Sequence, residues 1–141
     1  MNAKQLHFIG TLAVTLFATT LLLAQQQETE ISRGSHGGRL LEDGGFTVEL
    51  AIFEQGVPPQ YRAWAYSGDV ELATDAWQLN VELSRLGGRV DSFNFSANGG
   101  FLLGDGVVEE PHSFDVAVTA RFQGRAYNWE FESHEGRLKM S

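Results

Sequence analysis

The chain has 141 residues, and its first two dozen differ in kind from the remainder, which has room for one domain of ordinary size. Asp and Glu number 18 against 10 Lys and Arg, and the resulting formal charge of −8 repels phosphate backbones and anionic lipid, arguing against nucleic-acid binding. An apolar content of 43% with ten Phe argues against disorder, while the lack of Cys excludes disulfides, thiolate catalysis and Cys-based zinc or iron–sulfur sites.

Residues Met1–His7 carry Lys4 and no acid, Phe8 to Ala24 are uncharged and mostly apolar, and Gln25–Gln27 open a polar stretch. A short basic start, an apolar run and a polar exit form an export signal. The run of 17 residues also reaches the lower limit for spanning a bilayer, so this N-terminal hydrophobic helix reads either as a signal cleaved near Ala24 or as an uncleaved anchor. Both readings place residues 25 onward outside the cytoplasm, in the periplasm of a bacterium. The only membrane contact expected is through the apolar segment. Residues 25–39 (QQQETEISRGSHGGR) have no apolar period and read as a flexible polar tether.

From Leu40 the pattern changes to short alternating runs. Phe46, Val48, Leu50 and Ile52 alternate with polar or small neighbours, as do Trp77, Leu79, Val81 and Leu83. The longest stripe is Phe114, Val116, Val118, Ala120 and Phe122, followed by Tyr127, Trp129 and Phe131. A period of two with polar partners marks half-buried strands. Less regular runs lie at Tyr61–Ser67, Arg89–Ser96 and Phe101–Val108, and Gly-rich or Pro-rich turns fill the gaps. About seven strands and no sustained helical period predict an all-β fold, an antiparallel immunoglobulin-like β-sandwich over residues 40–137 with a short tail at 138–141.

No Gly-x-Ser-x-Gly, His-Glu-x-x-His or phosphate-cradling loop is present, and no catalytic constellation is legible, so an enzyme is not expected. The chemistry concentrates in three histidines beside Gly or Pro: His36 (SHGGR), His112 (EEPHSF) and His134 (ESHEG). With the neighbouring carboxylates Glu110 and Glu135, they supply the ligand types that hold zinc, copper(II) or nickel where no thiolate is available. A hairpin of residues 112–122 and 125–134 closed by Gln123-Gly124 would set Phe122 opposite Arg125 and Val116 opposite Phe131. The same register puts His112 opposite Glu135 and His134 opposite Ser113, near one another at the open end. A regular ladder points them to opposite faces, so a metal site needs Pro111 and Gly136 to bend that end and His36 to swing in. The other reading of these histidines is strand-end packing against turn carbonyls. Among the tryptophans, Trp77 and Trp129 fall on inward stripes, whereas Trp64 faces outward as a candidate contact residue.

The run from His36 to Arg137, with its segments HGGRL, IFEQGVPPQYR, LSRLGGRVD and EPHSFDV, resembles the N-terminal domain of periplasmic adaptor subunits. These are the membrane-fusion proteins of resistance-nodulation-division efflux pumps, and the likeness is to their heavy-metal branch. The resemblance implies an exported accessory of cation efflux that contacts pump or other envelope proteins. In such adaptors the domain precedes a β-barrel, a lipoyl-like domain and a helical hairpin, none of which is legible here. The expectation is therefore a free-standing relative of the domain or a truncated adaptor. The competing reading is an exported β-sandwich that binds a protein or a glycan without any metal.

Overall fold

The computed structural model describes residues 31–134; the expected N-terminal helix, the tail and Glu135 lie outside the described residues. Every element described is a strand: β1 (Arg39–Asp43), β2 (Phe46–Phe53), β3 (Gln60–Ser67), β4 (Val70–Glu71), β5 (Trp77–Ser84), β6 (Val90–Asn98), β7 (Phe101–Gly104), β8 (Phe114–Phe122) and β9 (Arg125–Ser133). The seven expected strands are all present, and the two additions are short. β1 has only Leu40 and Leu41 as apolar residues, and β4 has only two residues, so neither carries a period long enough to read.

All pairings are antiparallel, in the order β1-β2-β3-β7-β6-β5-β8-β9, with the small β4 added on β3. The all-β antiparallel fold is the one the alternation predicts, and its two faces are continuous because the sheet curls through β6. Residues Asn94 back to Val90 pair with β5, whereas Phe95–Asn98 pair with β7, so β6 crosses from one face to the other. At the crossing, Asn94 donates its N–H to Asp105 Oδ1 at 2.8 Å and its carbonyl accepts the Asp105 N–H at 2.9 Å, which satisfies the backbone where the ladder changes partner. The sheet nearly closes into a barrel: Trp129 Nε1 on β9 donates to the Glu42 carbonyl on β1 at 3.3 Å, and the Arg39 guanidinium stacks 4.0 Å over the Phe131 ring. Side chains thus shield the two edges that would otherwise invite pairing with another chain.

The core follows the alternation. Phe46, Val48 and Leu50 of β2 face Ala63 and Ala65 of β3, and Trp77, Leu79, Val81 and Leu83 of β5 close over them with Phe114, Val116, Val118 and Ala120 of β8, all less than 9% exposed, while Phe122 at the stripe's end is partly buried. The β8–β9 hairpin has the expected register, with Phe122 opposite Arg125 and Val116 opposite Phe131. Trp77 is buried, Trp129 packs against the core, and Trp64 faces outward, as the sequence indicates. Among the described residues, no helix is long and apolar enough to cross a membrane.

Candidate metal centre

Strand ends gather three loops at one pole. The β2–β3 loop (54–59), the β5–β6 loop (85–89) and the β7–β8 segment (105–113) meet there because Val108 N–H donates to the Pro59 carbonyl at 2.8 Å. Arg85 ties the other two together. Its Nε donates to Asp91 Oδ2 at 2.8 Å, and its two Nη groups donate to the Pro111 and Glu109 carbonyls, each at 2.9 Å. Arg89 completes the frame through Asp91 Oδ1 and Glu109 Oε2, both at 2.9 Å. The Arg85 hydrogen bond, assisted by Arg89, holds the Asp91 carboxyl below its ordinary value despite partial desolvation.

On this frame Glu54, Glu110 and His112 each offer a ligand atom within 4.8 Å of the others. The His112 side chain is only 12% exposed, and its Nε2 lies 3.0 Å from the Val108 carbonyl and 3.6 Å from Glu110 Oε1. A carbonyl can only accept, so Nε2 carries a proton in this arrangement. One imidazole and two carboxylates suit a borderline divalent cation such as zinc or cobalt. The donor chemistry therefore fits a metal: a cation on Nε2 would move the ring proton to Nδ1 and take the place of the hydrogen bond to Val108.

The sequence-derived site is only partly assembled. Glu110 and His112 do come together, joined by Glu54, which alternation alone reads as an ordinary loop acid. His134 is directed elsewhere: its Nε2 lies 3.1 Å from Glu132 Oε2 on its own strand end. The convergent group contains neither His134 nor His36. His36 belongs to a different structure. Residues 32–38, expected to continue a flexible tether, form a closed turn instead: Gly34 N–H donates to the Gly38 carbonyl at 2.9 Å, and Leu40 N–H donates to the Ser32 carbonyl at 3.0 Å.

That turn lies over Glu49, the only buried charged residue among those described. Glu49 sits at an outward position of β2, yet its carboxylate is fully covered. It accepts the His36 and Gly38 backbone N–H groups, each at 2.9 Å, and the His36 Nδ1–H at 3.0 Å. The His36 ring then stacks on Trp64 with centroids 3.8 Å apart and 3° between planes. The turn can approach this closely because glycines line it: a Cβ on Gly34 would collide with the Glu49 carboxylate, and one on Gly38 would stand 2.8 Å from Glu49 Cγ and 2.9 Å from the Leu50 carbonyl oxygen. Gly38→Ala should therefore destabilise the protein by about 1–3 kcal/mol in urea unfolding, the usual cost of overpacking against immobile backbone. A cost under about 0.5 kcal/mol would show that the turn moves aside freely. The stack also occupies one face of Trp64, the outward tryptophan.

The fold and its loop pole define a class, a small acidic all-β module whose chemistry-bearing side chains are imidazoles and carboxylates. A family model described as "CzcB, N-terminal domain" matches residues 38–129, and the chain belongs to that family. Among curated proteins it is similar to the cobalt-zinc-cadmium resistance protein CzcB of Cupriavidus metallidurans, with 25% identity over 114 residues that cover 79% of this chain and 22% of the relative. The cation efflux system protein CzcB of an Alcaligenes strain gives the same identity and coverage. The chain thus spans about a fifth of the length of these relatives. No solved structure matches it significantly.

Proposed function

We propose that this chain is an exported accessory module of heavy-metal efflux that contacts pump components and holds a divalent cation through Glu54, Glu110 and His112. The observation that carries the reading is the convergence of those three side chains at the loop pole of a domain in this family. The names of its relatives concern cobalt, zinc, cadmium and cation efflux, which fits a ligand set without thiolates. The net charge of −8 adds a modest attraction for cations. Export rests on the apolar segment at residues 8–24, as read from sequence.

Calorimetric titration with zinc, cobalt and cadmium tests the site. The loop pole is expected to take up one cation, seen as the part of the titration that His112→Ala or Glu54→Ala weakens at least about tenfold and His134→Ala leaves unaltered. The absence of heat with every ion would overturn the reading and leave a contact module without a metal.

A further inference from the structure

We propose that His36, held by Glu49 and backed by Trp64, presents its Nε2 as a second divalent-cation site, with Glu71 as the other protein ligand. The site is on the outer face of β2 and β3 and does not depend on the loop-pole reading.

The argument begins with the tautomer. The Glu49 carboxylate accepts two backbone N–H groups and lies 3.0 Å from His36 Nδ1. An ionised carboxylate cannot donate, so Nδ1 carries the proton. In the neutral ring, Nε2 then holds the lone pair. A carboxylate behind the far nitrogen of an imidazole is the usual support of a metal-bound histidine, because it fixes both tautomer and ring orientation and raises basicity at the coordinating nitrogen. Here that support is complete before any cation arrives. Glu49 is 0% exposed, and Trp64 holds the ring plane to within 3° of its own.

The His36 side chain is 38% exposed. It borders a cavity of about 780 Å³ also lined by Trp64, Glu71, Thr74 and Phe101. Tyr66 links the two acids: it pairs with Glu71 across β3 and β4, and its phenol is pushed up first by burial, with Ser35 opposing and the Glu49 and Glu71 charges reinforcing. No Lys or Arg lines this cavity, so it offers nothing to neutralise an anion. An organic cation would need a free aromatic face. His36 covers a face of Trp64, and the Arg62 guanidinium already stands 4.5 Å over Phe101. What the cavity does offer is an imidazole lone pair and a carboxylate, the donor pair of a borderline divalent metal.

The test monitors the ring nitrogens of the full chain, labelled with ¹⁵N, by long-range proton–nitrogen spectra near pH 7.5 with and without zinc. Before zinc, His36 should show a protonated Nδ1 and an unprotonated Nε2. On titration the Nε2 resonance should shift while Nδ1 stays protonated, and the same shift should appear in His112→Ala, where the loop-pole site is gone. Glu71→Gln should weaken this response at least about tenfold. A proton on Nε2 in the metal-free protein would overturn the proposal. So would an unmoved Nε2 at saturating zinc, even if His112 responds, or an unchanged affinity in Glu71→Gln. Loss of the His112 response alone bears only on the loop-pole reading.

Discussion

Glu49→Ala should destabilise the protein by about 2–3 kcal/mol in urea unfolding, a large fraction of what holds a domain of this size together. The carboxylate is wholly buried and receives three N–H donors from the His36–Gly38 turn. Removing it leaves two backbone donors with no partner under the turn, a cost that water can relieve only by lifting the turn off the sheet. Lifting it breaks the 3.8 Å stack on Trp64, so the tryptophan emission should change as well. Glu49→Gln should not restore wild-type stability, because the carboxamide brings donors of its own to a place that needs only acceptors. Hydrogen exchange should locate the damage, with the His36 and Gly38 amides losing protection before the core strands. If Glu49→Ala costs less than about 0.5 kcal/mol and those amides stay protected, the carboxylate does not hold the turn.

Arg85→Met should destabilise the protein by a comparable amount, about 2–4 kcal/mol. The Arg85 side chain is only 10% exposed, and all three of its nitrogens donate: Nε to Asp91, Nη1 to the Pro111 carbonyl and Nη2 to that of Glu109. The guanidinium also lies 5.1 Å over the Phe114 ring. Arg85→Lys should recover little, since a single ammonium cannot reach three acceptors in the directions a planar fork does. The pH dependence gives a second readout. The folded Asp91 carboxyl lies below its ordinary value of 3.8, so its contribution is present above that value and is lost as pH falls through the lower folded value. Wild-type protein should therefore hold that contribution further into acid than Arg85→Met, whose acid limb moves up towards the ordinary carboxylate range. Identical acid limbs would show that Arg85 does not set the Asp91 charge. Because Glu109 and Pro111 flank the candidate ligand Glu110, Arg85→Met should also weaken zinc uptake at the loop pole.

Much of the architecture is legible from alternation alone. Phe46, Val48 and Leu50, the stripe Trp77 to Leu83 and the stripe Phe114 to Phe122 point inward because a strand has a period of two, and any register that buries one member buries the rest. The two-residue turn Gln123-Gly124 sets the β8–β9 register for the same reason, and it places Val116 opposite Phe131. The outward position of Trp64 is dictated by its neighbours Ala63 and Ala65 in the core. The short β1 and β4 escape such reading because their apolar content is too small to show a period. The curl through β6 escapes it as well, since its cause is a change of pairing partner between Asn94 and Phe95, and composition carries no trace of that.

The sites divide along the same line. Residue type alone marks His36, Glu110, His112, His134 and Glu135 as candidate ligands, for imidazoles and carboxylates near Gly or Pro are visible in any sequence. Which of them meet is a question of three-dimensional distance. Glu54 joins Glu110 and His112 across more than 50 positions of chain only because the Val108–Pro59 hydrogen bond brings two loops to one pole. Glu49 reads as an ordinary outward strand residue, and local periodicity has no means of showing that a glycine turn eleven to thirteen residues earlier folds back to cover it. Sequence by itself determined the seven longer runs of strand, their inward faces and the chemical types at hand. The tertiary structure decided which carboxylate each histidine meets, because burial and hydrogen bonding of polar groups depend on loops that close over the sheet from distant parts of the chain.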